Sequence, residues 1–164
     1  MTKKLASRSA QWPLVQEFTF DVSTAANDTM ATVVGNVIGG ASPHFQATVQ
    51  AIGGVHGGAG QIYEIFPLPV GATVIGGEVV VNTAVVGPTA STITIGDSGD
   101  ADRYLGATDL KTAGRTALVP TGYVGNGENI RMTITNTVAV ATAGKVAVRL
   151  TYVMAGRTNE VIVS

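Results

Sequence analysis

The sequence predicts an all-β fold, a two-sheet β-sandwich of jelly-roll type with an extended N-terminal arm, and three observations carry that prediction. Short runs in which apolar and polar residues alternate recur along the chain, the period of a strand with one buried and one wet face. No segment sustains a 3.6-residue apolar period over about ten residues, and the nearest candidate, residues 107–114, has room for about two helical turns at most. The chain also carries 21 glycines and only 5% aromatic residues, a composition suited to many thin strands and turns rather than thick amphipathic helices. About eight to ten short strands with long connections between them favour a jelly roll over a meander. One domain, residues 13–164, preceded by an arm, residues 1–12, is the expected division.

The arm comes first. It holds Lys3, Lys4, Leu5, Arg8 and Trp12, and its basic and apolar residues show no strand or helix period. They are the candidate interaction residues, suited to lying along a neighbouring surface. Gln11, Gln16 and Glu17 interrupt any apolar run of signal-peptide length, so secretion by that route is not expected. Phe18, Phe20 and Val22 then alternate with Thr19 and Asp21 as a first strand. From residue 23 to 60 the pattern weakens; 31–38 and 45–52 read as strands among frequent glycines, with loops or bent strands between them.

Residues 61–66 form a short strand that Pro67 and Pro69 stop, because proline cannot donate to a central ladder. Residues 73–86 are apolar on both faces, with Gly76, Gly77 and Glu78 as interruptions. Such a strand is either buried on two sides or bulged at its glycines. Ile93 and Ile95 alternate with Thr92 and Thr94 until the cluster from Gly96 to Asp100 ends that strand, and a polar loop is expected from Asp97 to Gly114. Ile130, Met132 and Ile134 face one way and Arg131, Thr133 and Thr135 the other. Val146, Val148, Leu150 and Tyr152 repeat the pattern, and the two strands read as a hairpin turning through residues 137–144. Residues 160–163 add a terminal edge strand.

Composition excludes several functions. Only 13% of the 164 residues are charged, ten Lys and Arg against eleven Asp and Glu. No field of that size gathers nucleic acid or anionic membrane nonspecifically. Mean hydropathy is positive, yet no stretch of about 18 apolar residues runs without a polar break, so a membrane-spanning helix is not expected. There is no cysteine, hence no disulfide and no thiolate chemistry.

Three motifs invite a chemical reading. Gly96-Asp97-Ser98-Gly99 matches the tetrapeptide around the nucleophile of chymotrypsin-like proteases. The match stops at Asp100, and His44 and His56, the two histidines, lack the flanking motif that would make either a base for Ser98. A turn whose Asp and Ser bond nearby backbone amides accounts for the same residues. Asp97, Asp100 and Asp102 are candidate calcium ligands, since a hard cation takes carboxylate oxygens, but their spacing is not that of a helix-loop-helix site and Arg103 is placed to pair with one of them. Gly53-Gly54 and Gly57-Gly58 lack the Lys-Ser/Thr of a phosphate cradle. No catalytic residue and no cofactor is expected.

Several blocks, in this order, carry a resemblance: the run from Leu68 to Val81 (LPVGATVIGGEVVV), Gly96-Asp97-Ser98, Asp102-Arg103-Tyr104-Leu105, Ala113 to Leu118 (AGRTAL), Val148-Arg149-Leu150-Thr151-Tyr152 and Gly156 to Glu160 (GRTNE). Together they resemble small virion proteins of tailed bacteriophages, the head decoration or cement proteins. The resemblance covers residues 63–163. It implies a jelly-roll subunit without catalysis that binds the major capsid protein on the outer surface of the capsid and stabilises the head, and that associates with itself as a dimer or trimer. Tail, baseplate and head-fibre proteins use similar sandwiches. A carbohydrate-binding module is a rival reading on its scattered tyrosines and the 97–102 loop. A hydrolase built on Ser98 is another.

Overall fold

The computed structural model describes residues 13–21, 61–139 and 141–154. The arm with Lys3, Lys4, Leu5, Arg8 and Trp12, the stretch 23–60 with both histidines, and the expected strand at 160–163 lie outside the described residues. Every regular element described is a strand: β1 (Leu14–Asp21), β2 (Gln61–Phe66), β3 (Ala72–Val86), β4 (Ala90–Gly96), β5 (Leu105–Asp109), β6 (Gly114–Ala117), β7 (Ile130–Thr137) and β8 (Ala143–Met154). No helix among them is long and apolar enough to cross a membrane.

The strands form two four-stranded sheets, β1-β8-β3-β6 and β2-β7-β4-β5. All described pairings are antiparallel and nest inward, β1 with β8, β2 with β7, β3 with β6 and β4 with β5, while β3 also pairs β8 and β4 also pairs β7. Among the described strands only β4 and β5 are both consecutive and paired; every other successive pair lies in opposite sheets. A long two-stranded ribbon rolled into a sandwich has this nesting, the jelly-roll arrangement.

Alternation along each strand decides what the sheets bury. Phe18 and Phe20 of β1 point across the core to β2, where Phe18 meets Phe66 edge to face with centroids 6.5 Å apart and Phe20 meets Tyr63 at 5.2 Å. Ile93, Ile95, Ile130, Met132, Ile134, Val146, Val148, Leu150 and Tyr152 all belong to one apolar cluster filled from both sheets. Each large apolar side chain removed from water in this way contributes about 1.5–3 kcal/mol. Tyr63 is among the most deeply buried, and burial raises the pKa of its phenol far above the ordinary range.

β3 shows both features its sequence allows. Val79, Val80 and Val81 are buried in succession, so both faces of the strand are covered there. Its register with β8 shifts between Val74 and Gly76, which leaves Ile75 as the extra residue, 45% exposed. Gly77 lies at φ 145°, and a Cβ there would run into the Arg149 carbonyl on β8. Only glycine permits that backbone and that approach together.

Two expectations are corrected. β7 and β8 do not form a hairpin: β7 pairs β2 and β4, while β8 pairs β1 and β3 in the other sheet. Alternation specifies which face of a strand is buried, not which strand lies beside it, and two strands that face each other across a core read like two that share a ladder. Their connection has no Asn-Gly or Asp-Gly to make a two-residue turn. It turns instead at Val138, with φ 72°, and is tied to β3 where the Thr142 amide donates to the Val86 carbonyl. The second correction concerns the polar loop expected from Asp97 to Gly114, which contains β5, while β6 begins at Gly114 itself. β5 is a short edge strand whose register shifts between Ile93 and Ile95 of β4, so no alternation survives in its sequence. Residues 107–114, the best helical candidate, span the end of β5 and the bend into β6.

Candidate functional site

Because neighbouring strands are antiparallel, one end of the sandwich collects the starts of β1, β3, β5 and β7 and the ends of β2, β4, β6 and β8. Its described loops are 67–71, 97–104 and 118–129. Asp97, Ser98, Asp100, Asp102 and Arg103, the chemistry-bearing residues singled out in the sequence that are described, fall here, and Asp97 organises them. Its carboxylate is buried and accepts from the amides of Gly99 and Asp100, both at 2.9 Å, and from both Nε and Nη2 of Arg103. Oδ1 takes both amides and Nη2 while Oδ2 takes Nε, so both oxygens of the acceptor-only carboxylate are engaged.

The Arg103 guanidinium also lies over the Tyr123 ring, 3.7 Å from its centroid. The result is a clasp: a buried carboxylate holds an arginine, and the arginine covers an aromatic ring from the next loop. Burial acts to raise the Asp97 pKa, but the Arg103 hydrogen bond and the two amides outweigh it and hold the carboxyl below the usual range. Tyr104, the next residue, is pushed up to about 12 by burial, reinforced by the nearby Asp97 charge. Gly96 is needed beneath the turn because a Cβ there would overlap the backbone of Asp100 and Ala101.

The three aspartates are not brought together as ligands. Asp97 is turned into the clasp, Asp100 and Asp102 are exposed, and no group of three His, Cys, Asp or Glu able to hold a metal occurs among the described residues. Ser98 is exposed at the tip of the turn. Chemically, the arrangement holds a loop in one shape and offers its rim to solvent.

Sequence reasoning did not find Tyr123 as the partner of Arg103, nor Glu128. A side-chain oxygen of Glu128 and the Tyr104 hydroxyl are both buried with no hydrogen-bond partner among the described residues. An exposed apolar rim also went unread: Val70, Val119 and Val124 are 72%, 66% and 54% exposed. They are joined to the clasp through the chain: the Gly71 amide donates to Gly125, the Gly125 amide to Ala72, and the Val119 amide to Tyr104.

The outer faces of the sheets are ordered by charge. Arg149 on β8 bonds Glu17 on β1 at 2.8 Å and Glu78 on β3 at 2.7 Å, and Arg115 on β6 approaches Glu78 at 3.6 Å. On the other sheet Glu64 accepts from Arg131 and Asn129, both at 2.8 Å. The Asn129 hydrogen bond is the main reason that the Glu64 pKa is lowered. Each charge lies on the wet position of its own strand, but the ladder exists only through the register.

No protein-family model matches the chain, and no curated protein matches it. Among solved structures, it is similar in fold to a chain of the Cyanophage Pam1 capsid asymmetric unit, with a TM-score of 0.51 and 20% identity over 91% of each chain. A chain of the acidic stable capsid structure of Helicobacter pylori bacteriophage KHP30 matches with a TM-score of 0.45 and 18% identity, over 56% of this chain and 75% of that one. At such identities the first likeness establishes a shared fold, and the second is too loose to carry weight.

Proposed function

We propose that the protein is a bacteriophage virion structural protein, a decoration or cement protein that binds the major capsid protein lattice on the outer surface of the head and stabilises it. The observation that carries this reading is the fold likeness to a chain of the Cyanophage Pam1 capsid asymmetric unit, which extends over 91% of both chains. The resemblance of the sequence blocks from Leu68 onward to decoration proteins supports the same role.

The chemistry of the surface suits a protein whose work is contact rather than catalysis. Charges on the outer faces of the sheets are matched in ladders, so those faces present little net field, and recognition falls to the ends of the sandwich. On a shell the contacts repeat with the lattice, so modest individual contacts add up through the number of copies. In this reading the subunit acts as a homo-oligomer at positions of capsid symmetry.

The test is to mix the purified protein with undecorated capsids and image them by cryo-electron microscopy. Stoichiometric density at symmetry-related positions on the outer surface is the expected result. Capsids that stay bare at saturating protein, or density confined to the interior or the tail, overturn the decoration role. A serine-directed activity probe is expected to leave Ser98 unlabelled.

A further inference from the structure

We infer that the clasp end is a docking surface for the N-terminal arm of a second copy of this chain, so that copies associate by exchanging arms. The surface is apolar and acidic together. Val70, Val119 and Val124 form the exposed rim, while Asp100, Asp102 and Glu128 form no salt bridge among the described residues. The one cation of these loops, Arg103, is held by Asp97. Glu128 also has a buried carboxylate oxygen with no hydrogen-bond partner among the described residues, a group whose burial is costly until a donor reaches it.

The arm has the complementary composition: three cationic side chains, Lys3, Lys4 and Arg8, and the large apolar Leu5 and Trp12 beside Met1, with no acidic residue before Glu17. It also leaves from this end, since β1 begins at Leu14, beside Tyr152 near the end of β8. Twelve residues span at most about 40 Å, enough to cross onto a neighbouring subunit.

Topology favours the neighbour over the parent chain. β1 is the edge strand that packs over β2, whereas Asp100 and Asp102 precede β5, at the opposite edge of the opposite sheet. The root of the arm and the acidic turn therefore occupy diagonal corners. Two copies related by rotation about an axis through this end place each root over the other's acidic corner, a closed and reciprocal contact. This inference does not depend on the capsid reading, and its test contains no capsid.

Because the chain has no cysteine, full-length copies carrying Ser7→Cys on the arm can be mixed with differently tagged copies carrying Ser98→Cys beside the acidic turn and then mildly oxidised. The expected product is a disulfide-linked heterodimer. Sedimentation should show self-association at least about tenfold weaker after charge reversal of Asp100, Asp102 and Glu128 to Lys, and weaker at high salt in the unaltered chain. Association should return when that triple variant is mixed with one carrying Lys3, Lys4 and Arg8 reversed to Glu, a rescue that a folding defect cannot produce. No heterodimer, a link formed only within one chain of the Ser7→Cys/Ser98→Cys double variant, or failure of the charge-swapped pair to associate overturns the inference.

Discussion

The two ends of the sandwich close the same core by different means. At the end opposite the clasp, the described connections are stitched by main chain onto an apolar plug. The Leu110 amide donates to Ser91 and its carbonyl accepts from Val85, while the Thr89 amide donates to Thr137. The Leu110 side chain is fully buried. At the clasp end, main-chain bonds are joined by a buried ion pair and a cation stacked on a ring. A plug of hydrocarbon is insensitive to pH and salt, and this end exposes Val86 and Val138 beside it. A polar clasp fixes its loops in place while leaving a rim in water that is acidic as well as apolar, so this end adds charge to the apolar contact that both ends can make.

The largest expected effects test the plug. Leu110→Ala, and Leu150→Ala at the middle of β8, should each cost about 2–5 kcal/mol by deleting fully buried volume, read as a fall in the urea midpoint at any pH where the protein folds. An unchanged midpoint for both would remove the core as drawn. Next comes the clasp: Asp97→Ala leaves a largely buried arginine and two amides without their acceptor and should cost about 3 kcal/mol. That loss should be accompanied by faster amide exchange at Gly99 and Asp100, with residues around Leu110 unaffected.

A smaller effect separates the two ends by pH. The folded pKa of Asp97 lies below its unfolded value of about 3.9. Its contribution is therefore fully present above that value and is lost as pH falls through the folded pKa. Asp97→Asn should be less stable than the unaltered chain by about 2 kcal/mol at neutral pH, and the gap should narrow as pH falls below about 4. Leu110→Ala should show no such narrowing. Glu64 is depressed in the same direction, so the unaltered chain should still lose some stability in acid after the Asp97 part is removed. The smallest effect is at Ser98, exposed on the turn: Ser98→Ala should stay within about 0.5 kcal/mol of the unaltered chain. A larger loss would show that the clasp depends on the turn hydroxyl.

Much of the fold was legible because alternation is a local property. β2 could be bounded at Phe66 because Pro67 follows it, and the bulge in β3 was marked by Gly76 and Gly77. The inward faces of β4, β7 and β8 follow from Ile93, Met132 and Leu150 and their neighbours at spacing two. β5 was not legible, since a short, irregular edge strand with one buried residue, Leu105, leaves no period to count. The clasp was half legible: an arginine near three aspartates predicts a pair but not which carboxylate, and the stacking of Arg103 on Tyr123 joins residues twenty positions apart that no spacing rule connects.

By itself, the sequence determined that this chain is all-β, which faces of β4, β7 and β8 line its core and where proline ends β2 and glycines bulge β3, because each of these depends on neighbours within a few residues. Only the tertiary structure decided which strands pair, that β7 and β8 belong to opposite sheets, and that the loops before β3, β5 and β7 meet at one end. Pairing is a choice among strands that present nearly the same alternating face, and nothing local to a strand distinguishes its partners. That choice is made by the global packing of two sheets around one core, and it brings Asp97, Arg103 and Tyr123 into a single clasp.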